Sequence, residues 1–186
     1  KAIYHGVPQK RERLLIVGLR RGEDLKFHWP EIEEKIYNLK DALKAGELFD
    51  CDVPFSHGQG YPASKKAIMD LIPPGGYWRD LPVDLQKSYM KGSFHLGGGK
   101  TGMARRISWD EPSLTLTCAP AQKQTERCHP DETRPFTVRE YARIQTFPDA
   151  WQFTGSMTAQ YAQIGNAVPV NLAFAVGTEL VRTLNE

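Results

Sequence analysis

The stretch Leu14-Leu-Ile-Val-Gly-Leu19 is a continuous apolar run, rich in branched residues and flanked by charge. It predicts a strand buried on both faces, as in an α/β sheet. From Phe27 to about Pro120 the periodicity weakens and turn punctuation multiplies, at Trp29-Pro30, Ser56-His-Gly-Gln-Gly60, Pro73-Pro-Gly-Gly76 and Gly97-Gly-Gly99. Short helices are predicted over residues 31–45 and 64–71. The rest of this middle region reads as irregular and loop-rich, a surface of the kind that often carries recognition.

Regularity returns after Pro135. Thr137 and Glu140 form a T-x-x-E capping box ahead of a helix that must stop before Pro148. Ser156 is placed to cap a second short helix, with Gly165 read as its left-handed C′ residue. Pro169 suits the first turn of a final helix, in which Leu172, Val176, Leu180 and Val181 make an apolar stripe.

With 186 residues and 40% hydrophobic content the chain can bury a real core as one domain or two small ones. A net charge of +2 does not by itself mark a nucleic-acid protein, but its distribution is uneven. Five basic residues and no acidic one lie between Gln86 and Arg106: Lys87, Lys91, Lys100, Arg105 and Arg106. By charge alone this is a solvated loop. Cys51, Cys118 and Cys128 are odd in number and widely spaced, which argues against a disulfide framework or a zinc site and suits a reducing cytoplasm. No apolar run approaches the ~20 residues needed to span a bilayer, so no membrane partner is expected.

Three blocks carry candidate chemistry. In Val7-Pro-Gln-Lys-Arg-Glu-Arg13, residues Gln9, Arg11 and Arg13 alternate and share one edge of an extended chain. Arg offers a planar fork of donors for phosphate or a base carbonyl; the same three residues also suit the exposed face of an edge strand. Arg134-Pro-Phe-Thr-Val-Arg-Glu-Tyr-Ala-Arg-Ile-Gln-Thr-Phe-Pro-Asp149 is largely explained by its cap, its charge pattern and its Phe-Pro stop. In Gln163-Ile-Gly-Asn-Ala-Val-Pro169 the Gly-Asn pair at a helix end offers backbone N–H groups and a short amide. Gly97-Gly-Gly-Lys-Thr101 is not a phosphate loop, because the required Gly at position 94 is Phe94. Cys128 and His129 are adjacent and point apart, so they are not read as a metal or catalytic pair.

Taken together and in this order, the blocks resemble the C-terminal half of a DNA cytosine-5 methyltransferase, of the bacterial restriction–modification type. The resemblance implies a mixed α/β fold: an incomplete S-adenosylmethionine-dependent methyltransferase fold, with its C-terminal strand and helices, plus an irregular target-recognition domain. Residues 1–26 are then the end of the catalytic domain and 27–155 the recognition domain with its organising helix. Residues 156–186 are helices returning to the cofactor domain. It further implies that Arg13 holds the flipped cytosine or its flanking phosphate, with Arg11 supporting it. Asn166 and the backbone of Ala167 contact S-adenosylmethionine. Double-stranded DNA meets Tyr77, Trp78, Arg79, Lys87, Lys91, Lys100, Arg105 and Arg106, with base readout from loops between about Phe49 and Met103.

Such enzymes attack cytosine C6 with a Cys thiolate that follows a Pro, and steady the ring with a Glu. Here Asp50 precedes Cys51, Thr117 precedes Cys118 and Arg127 precedes Cys128. There is no Glu-Asn-Val block and no Phe-x-Gly-x-Gly loop. The expectation is that the nucleophile lies on an N-terminal catalytic half, in the same protein or a separate subunit, and that this chain alone is inactive. The alternatives are a catalytically silent DNA-binding module, for which the 163–169 block has no use, and an RNA methyltransferase of the same family.

Overall fold

The computed structural model describes residues 1–20 and 25–185. Residues 21–24 of the first expected segment and Glu186 of the last lie outside the described residues. Six α-helices are found among the described residues: α1 (Leu39–Leu43), α2 (Ala63–Met69), α3 (Val83–Met90), α4 (Val138–Ile144), α5 (Met157–Asn166) and α6 (Val170–Asn185). One parallel strand pair joins β1 (Gln9–Lys10) to β2 (Ser113–Leu114), with Gln9 opposite Ser113 and Lys10 opposite Leu114. The architecture is thus mixed, helical with little sheet. No single helix among the described residues is long and apolar enough to cross a membrane.

Local chemistry sets the helix limits. Thr137 Oγ1 accepts from the Glu140 N–H (3.4 Å), while the Glu140 carboxylate accepts from the Thr137 N–H (2.7 Å). Ser156 Oγ accepts from the Ala159 N–H at 3.3 Å, which starts α5. That helix stops because Val168 precedes Pro169 and is pushed out of the helical region. The Pro169 carbonyl then accepts from the Ala173 N–H (2.9 Å) as α6 begins.

Two main apolar clusters organise the molecule. One gathers Leu39, Leu43, Phe136, Tyr141, Ile144, Tyr161 and Ile164 between α1, α4 and α5. The other gathers Met69, Ile72, Trp78, Leu81, Met90 and Met103 around α2 and α3. Each fully buried side chain of this size contributes roughly 1.5–3 kcal/mol. A small third cluster packs Ala2 and Val7 against Leu172 and Val176 of α6.

Four expectations need correction. Residues 14–19 form no strand: Leu14 is 87% and Ile16 85% exposed. A strand buried on both faces needs neighbours on both sides, and the described residues supply none. Within 31–45 only α1 is helical, because Asn38 and Asp41 build a capping box that starts the helix late. Gly165 lies inside α5 rather than in a left-handed C′ position. Its need is for space, since a Cβ there would sit 2.4 Å from the Thr117 carbonyl oxygen. In α6, Leu172 is buried, whereas Leu180 and Val181 face solvent beside Phe174 and Leu184.

Candidate functional site

The β1–β2 pairing lays residues 9–13 beside 113–117, and this positions the first block. Gln9 and Arg11 turn the same way, as their alternation requires, but they turn inward and are essentially fully buried. The Arg11 guanidinium donates to the carbonyls of Leu116 (3.0 Å), Gly165 (2.9 Å) and Ala167 (3.0 Å). None of these partners is a carboxylate. Gly165 and Ala167 stand at the C-terminus of α5, where carbonyls lack helical donors and the helix dipole is negative. A buried cation is therefore held by a helix end, and burial brings its pKa down to about 10.

A second polar pair flanks the guanidinium. Gln9 Nε2 donates to Gln145 Oε1 (2.9 Å), and Gln9 Oε1 accepts from the Leu116 N–H (3.0 Å). Gln145 Nε2 in turn donates to the carbonyls of Ile164 (2.7 Å) and Ala167 (3.3 Å). Sequence reasoning missed the burial of Gln9 and the role of Gln145. The available signal was an uncharged amide inside the segment 138–147, whose other polar side chains are charged apart from Tyr141 and Thr146.

Arg13 lies one step beyond this clamp and is exposed, donating to the Glu12 carbonyl at 2.6 Å. With Lys1, Lys10, Arg11 and Thr115 it lines an open cavity of about 480 Å³. Arg11 and Arg13 are thus split between a buried structural position and an exposed one. Asn166, the last residue of α5, is also exposed, and its Oδ1 accepts from Cys118 Sγ at 3.1 Å. The Ala167 backbone is engaged internally: its N–H donates to the Ile164 carbonyl (3.2 Å) and its oxygen takes Arg11 and Gln145.

The residues expected to meet DNA fall into two groups. Arg79 is exposed and stacks over the Trp78 ring (5.2 Å), Lys87 is exposed on α3, and Lys91 follows α3 at φ 51°. Lys100 is half-buried, at φ 47°, with its ammonium on the Leu96 carbonyl. Tyr77 and Arg105 are half-buried, Arg105 lying 3.7 Å from Glu111. Trp78 and Arg106 are buried and so withdrawn from any surface a duplex can touch. Trp78 packs in the α2–α3 core. Arg106 donates to the carbonyls of Met69, Ile72, His129 and Pro130 and to Thr133 Oγ1, which ties the chain after α2 to the segment before α4.

Cys128 and His129 are both buried and serve packing. Burial raises the Cys128 thiol and lowers the His129 imidazole. His129 Nδ1 accepts from the Asp131 and Glu132 N–H groups, and its Nε2 faces Glu140 at 3.9 Å. Glu140 is held in two bonds by Arg134, at 2.7 and 2.8 Å. Arg143, fully buried, binds Asp149 and the Cys51 carbonyl. These pairs fix α4 in its place and leave few donors free for a ligand.

A family model described as C-5 cytosine-specific DNA methylase matches residues 1–182. The Type II methyltransferase M.Eco47II of Escherichia coli is 68% identical, over 100% of this chain and 45% of its own length. M.Sau96I, a Type II methyltransferase of Staphylococcus aureus, is 56% identical, over 98% of this chain and 42% of its own. DNA (cytosine-5)-methyltransferase 2 of Arabidopsis thaliana is 37% identical over 60% of this chain and 8% of its own length. The chain therefore spans less than half the length of each of these relatives.

Proposed function

This chain belongs to the C-5 cytosine-specific DNA methylase family, and from that premise we propose that it is the DNA-recognising and C-terminal part of a restriction–modification methyltransferase. The observation that carries this reading is the convergence of two blocks 154 residues apart on Arg11. Arg13, two residues after Arg11, and Asn166, between the two carbonyls that Arg11 holds in α5 and after it, are both exposed. The reading assigns residues 1–26 to the end of a catalytic domain, 27–155 to target recognition and 156–186 to the return towards the cofactor.

In this reading Arg13 holds the flipped cytosine or its flanking phosphate, and Arg11 keeps the strand that carries Arg13 in place. Arg79, Lys87 and Lys91, with Lys100 and Arg105 behind them, neutralise phosphates of duplex DNA. Trp78 and Arg106 frame that surface from within. The residues present fit one edge of an S-adenosylmethionine site. Asn166 has its Oδ1 turned to Cys118, which leaves its N–H₂ group to meet a carboxylate or ribose oxygen. When bound there, S-adenosylmethionine supplies the electrophilic methyl group.

None of the three cysteines follows a Pro, and Cys128 is buried with its thiol pKa raised. The reading accordingly places the nucleophile and its partner Glu on an N-terminal catalytic half. Two features favour such a partner: the exposed 14–19 run, and the α6 face that presents Phe174, Val181 and Leu184 to solvent. Exposed apolar side chains grouped in this way suit an interface.

The test incubates the chain with labelled S-adenosylmethionine and duplex DNA, alone and with the N-terminal half supplied as a second polypeptide. Transfer is expected only in the mixture, and Arg13→Ala should abolish it without unfolding the chain. Robust transfer by the chain alone overturns the assignment.

A further inference from the structure

Gln145 occupies the junction between the recognition unit and the Asn166 turn. It follows α4 directly, and α4 is locked to its surroundings by Arg134, by Arg143 and by Ser56 Oγ, which accepts from the Arg139 N–H (2.9 Å). The side chain is fully buried and all its polar atoms are engaged. Its two acceptor carbonyls, on Ile164 and Ala167, straddle Asn166 in sequence. Its own carbonyl accepts from the Val170 N–H (3.0 Å), the first residue of α6. The next residue, Thr146, adopts φ 59° and accepts through Oγ1 from the Asn171 N–H (3.0 Å).

The chain thus holds the stretch 164–171 from both ends with two consecutive residues. One of them, a β-branched threonine, takes a left-handed conformation that such residues rarely adopt. Only a primary amide meets all three demands on the side chain at once, two donations to carbonyls and one acceptance from Gln9. A carboxylate there would face the Ile164 carbonyl oxygen at 2.7 Å, and a thioether would forfeit all three bonds, leaving Ile164, Ala167 and Gln9 each with one weaker or shared partner.

We propose that Gln145 is the positioning residue for Asn166, coupling the seat of the recognition unit's α4 to the cofactor edge of the site. The cofactor half of this statement rests on the reading of Asn166 given above. Gln9 is the other partner in the clamp, and Gln145 acts through the 164–167 backbone without touching a reacting atom.

The experiment has two arms. In the chain itself, hydrogen exchange is followed by mass spectrometry, together with maleimide labelling of Cys118 against exposed Cys51. Gln145→Met, which removes three hydrogen bonds, should speed exchange across 164–167 by at least about tenfold, a factor that one lost buried bond already reaches. Cys118 labelling should rise, while exchange within α4 and labelling of Cys51 hold. Unchanged exchange at 164–167, or an equal rise throughout α4, overturns the clamp. Should the variant fail to fold, the unsubstituted chain decides the matter. The clamp requires the Ala167 and Val170 amides to exchange as slowly as those of α4, and fast exchange there overturns it.

The second arm uses the chain assembled with its catalytic half. Gln145→Met should raise KM for S-adenosylmethionine about tenfold, with kcat and KM for DNA unmoved. Gln145→Asn, which keeps the amide on a shorter arm, should recover part of the loss. Loosened exchange with an unmoved KM leaves the clamp standing and removes Asn166 from the cofactor reading.

Discussion

Replacing Gly165 with Ala sets two effects of opposite sign against each other. Gly165 lies within α5, where Ala is favoured over Gly by about 1 kcal/mol. Against this, the new Cβ would sit 2.4 Å from the Thr117 oxygen, 2.5 Å from its carbonyl carbon and 2.7 Å from the Cys118 nitrogen. All three atoms are backbone, so no side chain can swing aside. The Thr117 carbonyl is itself fixed, accepting from Tyr141 Oη at 2.9 Å. Moving α5 instead stretches the 2.9 Å bond from Arg11 to the Gly165 carbonyl. Overpacking costs about 1–3 kcal/mol in an adaptable core, and this site has little freedom to adapt. The expected net is a loss of about 2 kcal/mol, which lowers a urea midpoint by roughly 1 M. Gly177→Ala in α6 is the control, because nothing lies within 4 Å of its Cβ position. It should gain up to about 1 kcal/mol. If Gly165→Ala matches or exceeds Gly177→Ala in urea melts, the close approach of α5 to residues 117–118 is refuted.

Arg11→Leu leaves the Leu116 and Gly165 carbonyls without their donor and Ala167 with Gln145 alone, and should cost about 3 kcal/mol or more by chemical denaturation; a cost under 1 kcal/mol would show that the clamp is ornamental. Arg11→Lys should recover little, since one ammonium cannot reproduce the spread of the fork. Burial lowers the His129 imidazole below its ordinary 6.5 while Nδ1 accepts two backbone N–H groups. The unfolded chain therefore protonates first, so stability is full above 6.5 and falls as pH drops through the lower folded value. Denaturant midpoints across that range should show the fall, and His129→Gln should flatten it. Thr137→Ala removes the cap of α4 and should cost about 1 kcal/mol, read as a thermal shift. Ile16→Glu should leave the chain's own stability within about 0.5 kcal/mol yet abolish pull-down of the catalytic half; a retained complex would move the interface elsewhere.

What could be read from the sequence followed the range of each interaction. Thr137 with Glu140, and Ser156 with Ala159, act across three residues, and both caps form where the pattern places them. The 14–19 run obeys the rule for a buried strand, but that rule presupposes neighbours, and the described residues contain none. Gly165 is ambiguous in the sequence because a glycine near a helix end has two explanations, positive φ or close approach. Only the position of Thr117, 48 residues earlier in the chain, tells them apart. Gln145 looked like one more residue of the organising helix. Its partners, Gln9 and the carbonyls of Ile164 and Ala167, share no spacing that periodicity can detect. Among the DNA candidates, charge and aromatic character selected Arg79 and Lys91, which are exposed, and equally Arg106 and Trp78, which are not. Composition does not distinguish an arginine bound for phosphate from one bound for five internal acceptors.

The clamp also dictates an order of events at synthesis. Gln9 and Arg11 leave the ribosome 136 and 154 residues ahead of Gln145 and Gly165. At ordinary elongation rates they wait on the order of ten seconds for their partners. Until then a guanidinium destined for burial stays hydrated, and β1 has only the short β2 to pair with. The α2–α3 core, whose contacts are more local, can close in the meantime. The clamp between β1 and the end of α5 therefore closes only after Ala167 has emerged, and a chain stalled before residue 165 would hold its α2–α3 core with Arg11 still lacking two of its three carbonyl partners.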